Sequence, residues 1–341
     1  MSGTRITPDF WRGRPVLVTG ASGFLGGWTV RRLLEVGADV VALVRDRVPR
    51  SMLIRDGDID RITTVQGSLE DRDLVRRAMG EHEIDTVFHL AAQPIVGVAK
   101  RDPISTFRAN IEGTWNVLEG ARQSNVRQVV VASSDKAYGS NENLPYTEDH
   151  PLQGRYPYDA SKSCADIIAQ TYQVTYGMAV SVVRCANLYG GGDLNFNRVI
   201  PGVIKSTIEG EPFVIRSDGQ FVRDYLYIVD AADSYLHLAE ALVSGAPQGP
   251  YNFSLEVKLT VLDVVRQVLS IMDRQDLEPV ILNQASAEIK EQYMTCEKAR
   301  AVLGWAPAYS MEKGLAETVE WYQDHFASMA PALRPVAATA S

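Results

Sequence analysis

The chain has 341 residues, of which 45% are apolar, and a formal net charge of −8. This length permits two or three domains with a substantial core, and the acidic balance argues against nucleic-acid binding, which calls for a basic surface. No stretch is long and apolar enough to span a membrane, and residues 1–14 contain no apolar signal core. The three cysteines, Cys164, Cys185 and Cys296, show neither metal-ligand nor disulfide spacing, so we expect small buried side chains, no metal site and a reducing cytoplasm.

Helix-length and strand-length segments alternate between Pro15 and about Ala186. This alternation predicts an α/β fold with a doubly wound parallel sheet. Beyond Gly190 the alternation ends, and helices are expected at 199–208 and 261–272 among short strands. The strands of the main sheet are predicted at 16–19, 39–43, 63–66, 86–90, 129–133 and 180–184.

The first predicted strand runs into Gly20-Ala21-Ser22-Gly23-Phe24-Leu25-Gly26. In such a turn Gly20 permits the sharp change of direction, Gly23 lets backbone amides approach an anion, and Gly26 lets helix and strand pack closely. The next helix, predicted at 24–36, directs its first amides at the same point. The motif predicts a site for a dinucleotide pyrophosphate, with an ordinary glycine-lined strand-turn-helix as the alternative.

Tyr158 and Lys162 are four residues apart and share one face of a predicted helix. A phenol titrates near pH ~10, so an adjacent ammonium is expected to lower the pKa of Tyr158 towards neutrality. The pair follows a strand that ends in Ser133-Ser134, at the sheet edge where such folds bind ligands. Together with the dinucleotide motif, the pair predicts proton transfer at an alcohol during hydride transfer; a solvated helix face is the alternative.

Further motifs follow in order: Phe88-His89-Leu90-Ala91-Ala92-Gln93, Asn110-Ile111-Glu112-Gly113-Thr114, Arg184-Cys185-Ala186-Asn187-Leu188-Tyr189-Gly190 and Arg223-Asp224-Tyr225. With them, the chain resembles the extended short-chain dehydrogenase/reductases that act on nucleotide sugars, from Arg14 to about Phe326. The resemblance implies a Rossmann domain at 14–190 and a smaller α/β substrate-binding lobe at 191–326 that crosses back to it. An N-terminal arm at 1–13 and a flexible tail at 327–341 complete this expectation.

The resemblance also implies a bound nicotinamide cofactor. At the end of the second strand, Asp46 would accept hydrogen bonds from the ribose of NAD, whereas Arg45 or Arg47 would hold the 2′-phosphate of NADP; we favour NAD. Ser68 stands where the family usually has aspartate. The implied cofactor-binding residues are Gly20, Ser22, Gly23, Phe24, Leu25, Gly26, Arg45, Asp46, Ser68, Leu69, Leu90, Ala91, Ala92, Gln93, Asn110, Tyr158 and Lys162.

In this family Tyr158 would remove the proton of the sugar 4-hydroxyl, Ser134 would hydrogen-bond the same oxygen, and Lys162 would orient the nicotinamide ribose. Ser134-Asp135-Lys136 is similar to the Ser-Asp-Lys of CDP-glucose 4,6-dehydratases. There Asp135 would protonate the departing 6-hydroxyl, and Lys136, as a neutral amine, would remove the C5 proton. A salt-linked turn is the structural alternative for Asp135 and Lys136.

Two other functions remain open. Arg223-Asp224-Tyr225 is the pattern of epimerases, so a 4-epimerase is the alternative enzyme, whereas the intact Tyr158 and Lys162 argue against a redox sensor without turnover.

The resemblance implies a nucleoside diphosphate hexose as substrate, held by Gln93, Asn187, Arg198 and Arg223, because a guanidinium fork suits phosphate oxygens. It also implies a homodimer joined by a four-helix bundle from helices at 105–123 and 160–176.

Overall fold

The computed structural model describes residues 6–284 and 289–329. Its strands are β1 (Pro15–Thr19), β2 (Asp39–Val44), β3 (Thr63–Gln66), β4 (Thr86–His89), β5 (Gln128–Ala132), β6 (Val180–Cys185), β7 (Asn187–Tyr189), β8 (Val214–Ile215), β9 (Val222–Arg223), β10 (Tyr225–Tyr227), β11 (Gly249–Phe253), β12 (Leu259–Thr260), β13 (Val280–Ile281) and β14 (Glu291–Gln292). Its α-helices are α1 (Pro8–Trp11), α2 (Phe24–Glu35), α3 (Met52–Arg55), α4 (Arg72–Glu81), α5 (Val96–Arg101), α6 (Pro103–Phe107), α7 (Gly113–Gln123), α8 (Pro157–Tyr176), α9 (Val199–Glu209), α10 (Ile228–Val243), α11 (Val261–Ile271), α12 (Glu297–Leu303) and α13 (Met311–Met329). Two 3₁₀ turns, Asp58–Arg61 and Asp135–Tyr138, and one π-helical segment, Arg108–Glu112, are also present.

The main sheet has seven parallel strands in the order β3-β2-β1-β4-β5-β6-β11. Its central strands are buried along nearly their whole length because helices cover both faces; β5, for example, is buried at every residue. The strand order reverses between β1 and β4, where Thr19 pairs with His89, and ligands bind at such a switch point. The predicted doubly wound α/β fold is confirmed.

The edge strand β11 contains Pro250, which pairs with Val182 of β6. A proline cannot donate to a strand ladder, so it is tolerated only at an edge such as this one. The chain leaves the main sheet after β6 and returns to it through β11.

A second region covers the carboxyl edge of the sheet. It contains the short sheets β7/β10, β9/β12/β14 and β8/β13, and the helices α9, α11 and α13. These elements pack around their own apolar core, which includes Val203, Ile204, Val264, Val265 and Leu315.

Three sequence predictions need correction. The helix predicted at 105–123 is divided by the π-helical segment Arg108–Glu112. Cys164 is exposed, although Cys185 and Cys296 are buried as expected. The tail predicted from residue 327 begins too early, since α13 continues to Met329; residues 330–341 lie outside the described ranges.

The predicted N-terminal arm contains α1, whose Trp11 is fully buried and donates through Nε1 to Glu240 Oε1 at 2.7 Å. No helix in the described ranges has the length and apolar content needed to cross a membrane. Among the same residues, no group of three or more His, Cys, Asp and Glu side chains could hold a metal ion.

Candidate active site

A cavity of about 1000 Å³ lies between the carboxyl edge of the main sheet and the second region. Its walls contain nearly all the residues singled out from the sequence. Those lining it are Gly20, Ser22, Gly23, Phe24, Leu25, Gly26, Arg45, Asp46, Ser68, Leu69, Leu90, Ala91, Ala92, Gln93, Ser134, Asp135, Lys136, Tyr158, Lys162, Asn187, Arg198 and Arg223.

The tight turn after β1 can follow its path only because Gly20 and Gly26 lack side chains. Gly20 has φ of +77°, and a Cβ there would lie 2.7 Å from the Ala91 backbone. A Cβ at Gly26 would overlap the Gly20 carbonyl oxygen. Helix α2 begins at Phe24 without a side-chain cap, so its first amides remain available to an anion. This cradle fits a dinucleotide pyrophosphate.

The ribose end of the cradle carries charge. Arg45 Nε and Asp46 Oδ2 form an exposed ion pair at 2.6 Å, and both residues line the cavity. Ser68 also lines the cavity, and its hydroxyl accepts from the Glu70 amide at 3.3 Å. A carboxylate at this position suits the ribose hydroxyls of NAD.

Asn110 lies behind the cavity wall, within the π-helical segment. Its side chain accepts from the Gln93 amide at 2.7 Å and donates to Ser161 Oγ at 2.8 Å. A π-helical turn often occurs at a functional site because it redirects side chains. The described contacts of Asn110 therefore support the loop that carries Gln93, which does line the cavity.

The predicted catalytic hydroxyl belongs to a tight turn after β5. Ser134 is the N-terminal cap of the 3₁₀ turn Asp135–Tyr138, where its Oγ accepts from the Lys136 amide at 3.2 Å. The same hydroxyl donates to Asp135 Oδ1 at 3.0 Å. The cap fixes Ser134 beside the phenol of Tyr158.

Tyr158 and Lys162 lie in the first turns of α8, as predicted. Burial and then the charge of Asp135 raise the pKa of Tyr158 to about 12, against the opposing effects of Ser134 and Arg198. Lys162 donates to the Ala132 carbonyl at 2.8 Å, and burial lowers its pKa to about 8. The prediction that Lys162 lowers the pKa of Tyr158 is therefore wrong, because burial dominates and raises it.

The far side of the cavity holds a compact acid–base cluster. Asp135 is 3% exposed, and its Oδ2 has no hydrogen-bond partner among the described residues. Burial raises the pKa of Asp159 to about 6, with Lys136 opposing the shift and Asp135 adding to it. Lys136 donates through Nζ to Gln292 Oε1, which lies 156 residues away in the chain. Because Lys136 contacts a distant segment, the alternative of a local salt-linked turn does not account for this arrangement.

Three of the four predicted substrate-binding side chains, those of Asn187, Arg198 and Arg223, belong to the second region, whereas Gln93 follows β4. Asn187 Nδ2 donates to the Asp224 carbonyl at 3.0 Å, and Arg198 Nη1 pairs with Asp193 Oδ2 at 2.9 Å. Arg223 Nη1 donates to the Val222 carbonyl at 2.9 Å. These contacts bring polar groups from three separate segments to one wall of the cavity.

Sequence reasoning missed two residues of this site. Asp159 follows Tyr158 directly, so its proximity was visible in the sequence although its burial was not. Gln292 lies in a two-residue strand far from every motif, and no local pattern identifies it.

Comparison with known proteins places this geometry among enzymes. Residues 16–254 match the family model described as "NAD dependent epimerase/dehydratase family". The chain is 30% identical over 338 residues to a CDP-glucose 4,6-dehydratase from Salmonella typhimurium, with 93% of each chain covered.

Solved structures are similar over nearly the whole chain. A dTDP-glucose 4,6-dehydratase from Bacillus anthracis in complex with NAD matches with a TM-score of 0.82 and 26% identity, over 94% of this chain and 99% of that one. A UDP-glucose 4-epimerase from Thermotoga maritima with UDP-glucose matches with a TM-score of 0.84 and 27% identity, over 92% and 99%.

Proposed function

Because the chain belongs to the NAD dependent epimerase/dehydratase family, we propose that it is a nucleotide-sugar 4,6-dehydratase of the CDP-glucose type. The observation that carries this proposal is the buried Asp135 beside Lys136 at the cavity wall, next to Ser134 and Tyr158. Epimerisation at C4 needs no acid and base beyond those acting at the 4-hydroxyl. Elimination of water needs a second acid–base pair, and this cluster supplies one.

The cofactor of the family is NAD; the glycine turn and the first amides of α2 would hold its pyrophosphate, and Asp46 would accept hydrogen bonds from its ribose. Bound there, it would supply the hydride acceptor for oxidation at C4 and the hydride donor for C6. The Gly20 and Gly26 positions, where a Cβ would collide with backbone, support this placement.

At C4, Tyr158 acts as the base for the sugar hydroxyl, and Ser134 hydrogen-bonds the same oxygen. A hydrogen bond with Ser134 and the charge of Arg198 oppose the rise in the pKa of Tyr158 that burial and Asp135 cause. Lys162, fixed on the Ala132 carbonyl, orients the ribose beside the nicotinamide. Oxidation at C4 then makes the C5 proton acidic.

At C5 and C6, Lys136 as a neutral amine takes the C5 proton. The C5–H electron pair forms the C5–C6 double bond, the C6–O bond breaks, and Asp135 protonates the leaving hydroxyl to give water. A hydride added to C6 and a proton added to C5 complete a 4-keto-6-deoxy sugar. Arg198, Arg223, Asn187 and Gln93 would hold the substrate's diphosphate and sugar.

A 4-epimerase is the alternative, favoured by Arg223-Asp224-Tyr225 and by the similarity to a UDP-glucose 4-epimerase. Mass spectrometry separates the two. Purified protein is incubated with NAD or NADP and with CDP-, dTDP-, UDP- and GDP-hexoses in turn. A product lighter by one water supports the dehydratase and identifies the nucleotide; an unchanged mass with a new chromatographic peak means epimerisation.

We also propose a homodimer, built on the exposed faces of the helical segments at 103–123 and of α8. Four exposed apolar side chains support it: Ile104, Trp115, Ile167 and Val174. Large exposed apolar surface usually marks an interface. Sedimentation at micromolar concentration is expected to give a dimer, and a monomer would contradict the proposal.

Free thiols at all three cysteines fit the reducing cytoplasm that we propose as the location of the protein.

A further inference from the structure

We propose that Gln292 is a positioning residue for Lys136: its uncharged amide oxygen holds the Lys136 nitrogen and keeps it available as the base at C5. This inference rests on the proposed dehydratase activity. It is carried by the contact between Lys136 Nζ and Gln292 Oε1 and by the complete burial of Gln292.

Gln292 is itself held in place by its neighbours. Its strand, β14, pairs in parallel with β9, where Gln292 lies in register with Arg223. The next residue, Tyr293, accepts from the Tyr146 amide at 3.0 Å through its carbonyl. The Met294 amide donates to the buried carboxylate of Asp224 at 3.3 Å. The backbone at Gln292 is therefore held in place and its side chain is buried, and its Nε2 has no hydrogen-bond partner among the described residues.

Lys136 and Gln292 differ in their access to the cavity. Lys136 lines the cavity, whereas Gln292 is not among the lining residues. Gln292 can act on a substrate only through Lys136. A lysine has four rotatable side-chain bonds, and an acceptor that receives one N–H restricts them. The contact with Gln292 therefore limits where the Lys136 nitrogen can lie in the cavity wall.

The chemical nature of the acceptor matters for a base. An amide oxygen accepts from a neutral amine as well as from an ammonium, whereas a carboxylate favours the ammonium. Among the described residues, the charged groups near Lys136 include Asp135, the preceding residue on its turn, and Asp159 on α8, whose pKa Lys136 works to lower. A glutamate at position 292 would add another carboxylate and stabilise the protonated form, which cannot take a proton.

Two substitutions of the same length separate these effects. Gln292→Met keeps the volume and removes the acceptor, and Gln292→Glu keeps the acceptor and adds charge. The matched control is Gln128→Met, at a buried glutamine on the opposite end of β5 that donates to Thr86. Circular dichroism and the thermal midpoint establish that each variant folds.

The expected results differ between the variants. Gln292→Glu moves the acidic limb of the kcat/KM profile up by ~1–2 pH units, because a nearby carboxylate raises the pKa of an amine. Gln292→Met lowers kcat ~10-fold with KM nearly unchanged, and the isotope effect from C5-deuterated substrate increases because C5 deprotonation becomes slower. Gln128→Met should match the wild type in all three readouts.

A second readout does not depend on turnover. In protein with ¹³C-labelled lysine side chains, the Lys136 resonance is assigned by its loss in Lys136→Met and followed as a function of pH. Gln292→Glu is expected to raise the pKa of Lys136, and Gln292→Met is not.

The outcomes are distinguishable. A wild type that dehydrates its substrate, with folded Gln292 variants that share its pH profile, isotope effect and Lys136 titration, overturns the inference and leaves the proposed function standing. A wild type that releases no water from any hexose overturns the proposed function. In that case the Lys136 titration still tests whether the side chain at position 292 affects the pKa of Lys136. An unchanged titration in Gln292→Glu would then overturn the inference as well.

Discussion

The two sides of the cavity are built in different ways. The centre of the cofactor side is one short segment, Gly20 to Gly26, in which Gly20 and Gly26 allow backbone to lie directly against backbone. The base side is a cluster of side chains from separate parts of the fold: Asp135 and Lys136 on a turn, Asp159 on α8, and Gln292 on β14.

The difference shows how much each side depends on the rest of the fold. Backbone amides need only the local strand-turn-helix, which can serve any dinucleotide. Proton transfer needs side chains whose charge is set by burial and by neighbours, so it depends on packing across the whole cavity. Reaction type should therefore change with the base side while cofactor binding stays the same.

The largest effect is expected for Tyr158→Phe, which removes the proposed base for the 4-hydroxyl on which every later step depends. We expect kcat to fall ~10³- to 10⁴-fold, the upper part of the range for acid–base groups. Product formation measured by chromatography tests this, with thermal stabilisation by NAD as the control for an intact cofactor side. Activity within tenfold of the wild type would assign the role of Tyr158 to another residue.

Lys136→Met should act on the second stage only. We expect dehydration to fall ~10²- to 10³-fold while oxidation at C4 survives, because the base for C5 is gone and Tyr158 is intact. Quenching with borodeuteride would then label C4 of a hexose that still carries its 6-hydroxyl. Loss of both the label and the product would show that Lys136 is needed earlier than we propose.

Gly26→Ala tests the cofactor side. The added Cβ would overlap the Gly20 carbonyl oxygen, so α2 must move away from β1, destabilising the protein by about 2–3 kcal/mol, as overpacking does. Urea unfolding and the affinity for NAD measure the two consequences. Gly80→Ala on α4 is the control, since a Cβ there meets nothing within 4 Å. Equal behaviour of the two variants would contradict the close approach of α2 and β1.

A smaller effect is expected for Asp159→Asn. Burial raises the pKa of Asp159 from 3.8 to about 6, so folding takes up a proton between these values and the wild type loses stability as the pH rises through that window. Asparagine removes this loss, and the variant should gain about 1–2 kcal/mol relative to the wild type between pH 4 and pH 7. Urea unfolding at both pH values measures the gain. A parallel pH dependence in the two proteins would mean that Asp159 titrates normally.

The sequence predicted the cofactor side well because its determinants are local. Six strands of the main sheet were placed within about one residue of their ends, since short runs of apolar and β-branched residues between helices identify strands. The same reasoning placed Gly20, Gly26, Tyr158 and Lys162 around one cavity.

The base side depends on contacts between distant segments, which no local sequence pattern predicts. The two-residue strands β9 and β14 are too short to show periodicity, so the contact of Gln292 with Lys136 could not be foreseen. The pKa of Tyr158 was predicted in the wrong direction because spacing along a helix reveals a neighbouring charge but not the extent of burial, which dominates here.

The proposed dehydratase activity is tested most directly by the reaction of the wild-type protein with NAD and CDP-glucose in deuterium oxide. If Lys136 exchanges the C5 proton with solvent, the isolated product has lost one water and carries one deuterium in place of hydrogen, at C5. A sugar of unchanged mass with no carbon-bound deuterium would show that the base side does not act on C5, and would contradict the proposed dehydratase.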